Sequence, residues 1–227
     1  MFQSLHISRI AVMILPLLFA VTIHEVAHGW VAYRLGDPTA KWSGRLTLNP
    51  FRHLDPIGSV ALPFVLFLVK SPIIFGYAKP VPVNFHYLRN YRRDSILVAS
   101  AGVGANLVCA LLCGLVFQVF GHLRAFWDSF LLVNLMAMLG YSVLINTVLA
   151  VFNLIPIPPL DGGRILSLLL PSRYAEVLGQ IERFGMVILI FLLFTGALNS
   201  VVSLFLNAAL RFFLGSEGLL MFLRHIT

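Results

Sequence analysis

The sequence predicts an all-α, multi-span membrane protein with about four full transmembrane helices, a short re-entrant segment and one extended, β-like loop. Three observations carry this. Hydrophobic residues make up 59% of the 227 and charged residues 11%, against about 45–50% and 25% in a soluble domain. Mean hydropathy is +0.92, so there is more apolar surface than one globular core can hide. Most of the 16 Lys and Arg residues sit in short connections between long apolar runs. That is the pattern that orients membrane proteins, and it argues against a nucleic-acid partner despite the net charge of +7.

The first apolar run, Ile10 to Tyr33, follows Arg9. It is too long for a signal-peptide core and has no small-x-small cleavage site, so it is read as a mature helix. A polar connection, Arg34 to Asp55, is rich in Gly, Pro and Asn. Ile57 to Val69 is apolar but only 13 residues long, about 20 Å of helix against a hydrocarbon core of roughly 30 Å. It also carries Gly58 and Pro63, which points to a re-entrant or tilted segment. Lys70 to Asp94 is polar again, and within it YAKPVPVN, 77–84, alternates around two prolines and should be extended. Ser95 to Phe120 and Phe130 to Phe152 are long helices. The break IPIPPLDGG follows, then a stub from Ile165 to Leu170. Phe184 to Leu206 is the last full span. The mixed tail, Asn207 to Thr227, lies in the interface or turns back. Cys109 and Cys113 are spaced as small packing residues of one helix rather than as a disulfide. No repeat divides the chain, and residues 1–227 read as one domain.

Arg34, Lys41, Arg45 and Arg52 lie in the first connection, and Lys70, Lys79, Arg89, Arg92 and Arg93 in the second. Arg164, Arg173 and Arg183 lie in the last, whereas 121–129 holds only Arg124. With 57–69 re-entrant, all three basic regions face the cytoplasm of a cell membrane and the N-terminus lies outside.

The sharpest chemical signal is HEVAH at 24–28. A spacing of four places His24 and His28 on one helix face, where two imidazoles can hold one zinc ion. Glu25 beside them is placed to take a proton from water as general base rather than to ligate. Ionisable side chains within a membrane helix are costly unless they serve a function. His24 lies ten residues before Arg34, about 15 Å below the cytoplasmic end of the helix. Water must reach it through a polar cavity.

A catalytic zinc needs a third protein ligand and an open position. Of the nine acidic residues, Asp161 alone follows a proline-rich break with apolar sequence on both sides. A lone carboxylate there is expensive unless it is paired or bound to metal. The alternative is a simple Asp-Gly turn.

HEVAHG on a membrane helix with NLIPIPPLDGG far downstream resembles the site-2 protease family of intramembrane zinc metalloproteases. GRLTLNPFRHLDPIGS (44–59), GYAKPVPVN (76–84) and the Gly-x-x-x-Asn signature of Gly102 and Asn106 are similar to its compact prokaryotic branch, without a PDZ or CBS domain. The resemblance implies a metalloendopeptidase with one zinc per chain, ligated by His24, His28 and Asp161. It also implies cleavage of transmembrane protein substrates within the lipid bilayer, in regulated intramembrane proteolysis. Asn106 and Asn153 are candidates to donate to the substrate carbonyl or oxyanion, with helix–helix hydrogen bonding as the other role. Lys79, Pro80, Val81, Pro82, Val83 and Asn84 form an edge that could hold an unwound substrate, or simply a rigid interfacial loop. His53 and Asp55 could form a second metal site, but read more readily as part of a solvated loop. A membrane metal transporter is the alternative function, but it would more often show repeated ligand pairs along a path. A CAAX-type membrane metalloprotease would call for a Glu as third ligand, and no Glu has a suitable context.

Overall fold

The computed structural model describes residues 7–71, 76–121, 123 and 129–226. Arg124 and residues 1–6, which bear on sidedness, lie outside these. The described residues form helices and loops with no strand. Four helices are long and apolar enough to cross a membrane, and the chain is a multi-pass membrane protein. The three that frame the site are α1 (Ile7–Arg34), α4 (Tyr91–Gly121) and α5 (Phe130–Asn153). They pack on one another, with the α4–α5 interface the most extensive.

Short elements connect them. After α1 come α2 (Thr39–Trp42) and a π-turn, Pro56–Ala61, running into α3 (Leu62–Leu68). Asp55 caps this start by accepting the N–H groups of Ile57 and Gly58 at 2.9 and 2.8 Å. The chain that leaves at Gly58 is back beside it at Tyr77. Tyr77 N–H donates to Gly58 O at 3.1 Å, and Ser59 Oγ donates to Tyr77 O at 2.8 Å. Lys79 N–H then donates to His53 O at 2.9 Å. Both flanks of this hairpin therefore lie at the same end, the geometry of a re-entrant segment rather than a span.

Beyond α5 the break 154–160 leads into α6 (Asp161–Leu169), α7 (Ser172–Glu182) and α8 (Gly185–Phe194), with α7 and α8 bent by 70°. The last long helix differs from the sequence reading. The apolar run 184–206 is not one span: α8 stops at Phe194, and Gly196 takes φ +72°, a left-handed conformation that suits glycine. The fourth long helix is α9, Ala197–Ile226, kinked at non-helical Gly215. The mixed tail is thus helical and packed. Leu210, Phe213, Leu214 and Phe222 bury themselves against Ala110, Phe117, Met136 and Val143 of α4 and α5. Small residues allow the approach. A Cβ on Gly114 would lie 2.5 Å from Phe213 O, and one on Gly140 would strike the Phe222 ring.

Candidate metal centre

Three elements converge at mid-depth of α1. His24 and His28 project from consecutive turns of α1 toward α4 and α6. Glycine at position 102 makes room, because a Cβ there would lie 2.5 Å from both His24 Cε1 and His28 Nε2. Asp161 is the first residue of α6 rather than a residue of a turn. The following glycines let α6 start directly against the proline-rich break. A Cβ on Gly162 would meet Leu154 O, and one on Gly163 would meet the Pro158 backbone.

The result is a triangle of ligand atoms. His24 Nε2 and His28 Nε2 are 3.1 Å apart, and each is 3.3 Å from Asp161 Oδ2. Zinc bonds of about 2.0–2.1 Å in a tetrahedron put ligand atoms roughly 3.3 Å apart, so the edges fit that ion. The protonation pattern agrees. His28 Nδ1 lies 2.7 Å from Val98 O, a pure acceptor, so it carries a proton there. His24 Nδ1 lies 2.6 Å from Asn106 Oδ1. The Asn106 amide nitrogen already donates to Ala20 O at 3.2 Å and to Asn146 Oδ1 at 2.7 Å, which fixes which end of the amide faces His24. Each Nε2 therefore presents a lone pair to the other and to the carboxylate. Asp161 Oδ2 is buried without a hydrogen-bond donor. Three acceptors facing one point repel one another unless a cation lies between them. This is also the only such group of His, Cys, Asp and Glu side chains among the described residues.

Glu25 stands apart from the triangle and lines the same cavity of about 420 Å³. Its Oε2 accepts the backbone N–H of Val81 at 2.8 Å. The segment 79–84 thus runs along the site, extended and paired with no strand. It is held at both ends. Arg45 Nη2 donates to Lys79 O at 2.7 Å, and buried Asp37 accepts Asn84 N–H at 2.7 Å. Pro80, Val81 and Val83 line the cavity.

The two asparagines separate. Asn153 lines the cavity and donates to Leu149 O of its own helix at 2.9 Å. Asn106 is fully buried with every bond spent within the protein, so no N–H is left to donate to a substrate oxyanion. It is a helix–helix residue that holds His24. Asn146, which sequence reasoning passed over, completes the relay by donating to Ser142 O at 2.8 Å. An amide in the middle of the apolar run of α5 was the signal for it. His53 is also not in a solvated loop: it is 1% exposed and its Nε2 bonds Thr47 O at 2.8 Å.

A model of peptidase family M50 matches residues 12–196. A putative zinc metalloprotease of Bacillus subtilis, YwhC, is 37% identical over 208 residues, which cover 89% of each chain. The putative zinc metalloprotease Rip2 of Mycolicibacterium smegmatis is 34% identical over 184 residues, and Rip2 of Mycobacterium tuberculosis 30% over 182. These alignments cover 80% of this chain and 66% of each relative. No solved structure matches the chain significantly.

Proposed function

Because the chain belongs to peptidase family M50, we propose that it is an intramembrane zinc metalloprotease, a single domain over residues 1–227. In this reading it hydrolyses peptide bonds within or near transmembrane segments of membrane proteins, in regulated proteolysis. The observation that carries the reading is the triangle of His24, His28 and Asp161 with three unshared acceptors turned inward. His24, His28 and Asp161 would hold one zinc ion per chain, which when bound supplies a Lewis acid and brings the pKa of water near 7. Asn106 and the Val98 carbonyl fix the ring orientations and keep both Nε2 lone pairs turned inward.

Glu25 takes the proton of the attacking water and returns it to the leaving amine. Its carboxylate is held facing the cavity by Val81 N–H. Asn153, at the rim of the same cavity, turns its amide to the carbonyl oxygen as charge develops there. A helical substrate has no free backbone groups to offer until it unwinds. The extended edge Lys79–Asn84 beside Glu25 gives the unwound stretch a partner and places it against the base. Loops 34–55 and 70–94 face the cytoplasm of the cell membrane and the N-terminus lies outside, so the site is nearer the cytoplasmic surface. The cavity brings water to it.

A metal transporter would call for further ligand clusters along a path, and the described residues hold this one cluster. The test is Glu25→Gln in the purified full chain. Zinc content should match wild type, because all three ligands remain, while cleavage of a membrane substrate falls by about 10²–10⁴-fold. Full activity in the variant would rule out this mechanism.

A further inference from the structure

Next to the catalytic cavity lies a second one of about 460 Å³, between α6, α7 and the start of α4, a volume typical of ligand pockets. The two share a wall made of Pro159, Leu160, Arg164 and Glu182, so they form one cleft with a waist. The far side of the second cavity is fixed. Arg92 donates from Nε to Leu168 O at 2.6 Å and from Nη2 to Leu169 O at 2.9 Å, tying the end of α6 to the start of α4.

Resting on the protease reading above, we propose that this second cavity receives the substrate chain on the cytoplasmic side of the scissile bond, and that Arg164 there selects an acidic side chain. Arg164 lies three residues after Asp161, one turn along the same helix face. Its guanidinium is stacked over the Phe85 ring at 4.6 Å, and Phe85 lines the catalytic cavity. The ring contact holds the guanidinium at the cavity wall, where its N–H groups can donate to a carboxylate. No carboxylate of the described residues pairs with it. Glu182 on the shared wall disfavours a dianionic phosphate, such as a lipid headgroup, and can accept N–H groups of a passing peptide. A substrate carboxylate within about three residues of the cut, roughly 10 Å of extended chain, meets these demands.

The test uses the full-length protein and a designed single-span substrate. Its cut site is first mapped by mass spectrometry, and Glu, Gln or Lys is then placed at successive positions on the cytoplasmic side. Wild type should cleave the Glu substrate with a kcat/KM about tenfold above the Lys substrate at one position, the scale of one partly desolvated ion pair turned into a repulsion. Arg164→Glu should reverse that ratio and Arg164→Gln should level it. A second arm needs no catalysis. In a Glu25→Gln background, a photoreactive phenylalanine at Leu178, on the cavity wall, should cross-link the Glu substrate. The same group at exposed Phe191 should not. An unchanged Glu/Lys ratio in Arg164→Glu, or a silent Leu178 position, overturns the proposal. Charge-selective cross-linking at Leu178 without any cleavage by wild type would support a charge-selective chain-binding cavity and sink the protease reading instead.

Discussion

Gly102→Ala is the smallest perturbation that reaches the metal centre without touching a ligand. The added Cβ would lie 2.5 Å from His24 Cε1, 2.5 Å from His28 Nε2 and 2.7 Å from His24 Nδ1. Ordinary contact needs about 3.5 Å, so α4 or both rings must retreat by roughly 1 Å. Metal–ligand distances tolerate about 0.2 Å. The shift is therefore several times what the site can absorb, and both rings are hit at once. We expect zinc affinity to fall by about 10–100-fold, with a stability cost of about 1–3 kcal/mol from overpacking. Gly104→Ala is the matched control on the same helix, because a Cβ there meets nothing within 4 Å. It should leave zinc in place and stabilise the helix by roughly 0.5–1 kcal/mol. Zinc retained after dialysis against a graded chelator, and thermal melting in detergent, read both effects. If Gly102→Ala holds zinc as tightly as Gly104→Ala, the close approach of α4 does not shape the site.

Asp161→Asn should give a folded but zinc-poor and inactive protein, since it alters one of the three proposed ligands while the side chain stays nearly isosteric. Asp55→Asn should keep its zinc, because Asp55 caps the Pro56 turn far from the triangle and an amide oxygen can still accept those N–H groups; the opposite pattern would move the site to the 44–59 loop. Cysteines at the exposed positions Ser43 and His86, with Cys109 and Cys113 replaced by Ala, should both label from the cytoplasmic side. Labelling from opposite sides would make Pro56–Leu68 a true span.

The two histidines and Glu25 were legible because helical spacing is a property of one element, and HEVAH places its own side chains. Asp161 was legible by elimination, since so few carboxylates sit between apolar segments. The resemblance to the site-2 protease family is borne out by the match over residues 12–196. The two roles left open for Asn106 could not be separated in the sequence for a physical reason. Its position on α4 says nothing about which groups of α1 and α5 it faces, and those groups use all its bonds. The last span was misread because average hydropathy passes over a single residue. Thr195 and Gly196 barely dent an apolar run, yet one positive φ at Gly196 ends α8 and restarts the chain as α9. The spacing of Leu206, Leu210, Phe213 and Leu214 carried the helical period that α9 buries. The charges of Arg211, Glu217 and Arg224 masked it.

The site is supported by hydrogen bonds that run across three helices. An unmade hydrogen bond costs more in a membrane helix than at a protein surface, because no water replaces it. The relay from Ser142 O through Asn146 and Asn106 to His24 crosses α5, α4 and α1 with donors and acceptors matched at each step. His28 Nδ1 finds Val98 O, and Glu25 finds Val81 N–H. Against that background the unmatched atoms stand out. His24 Nε2, His28 Nε2 and Asp161 Oδ2 face one another at 3.1–3.3 Å. A structural polar cluster would place a proton in that triangle, because helix association gains nothing from three opposed lone pairs. A cation at the point they share, held by both imidazoles and the carboxylate, makes the arrangement favourable. That is why the geometry argues for a metal centre more strongly than the spacing of HEVAH alone.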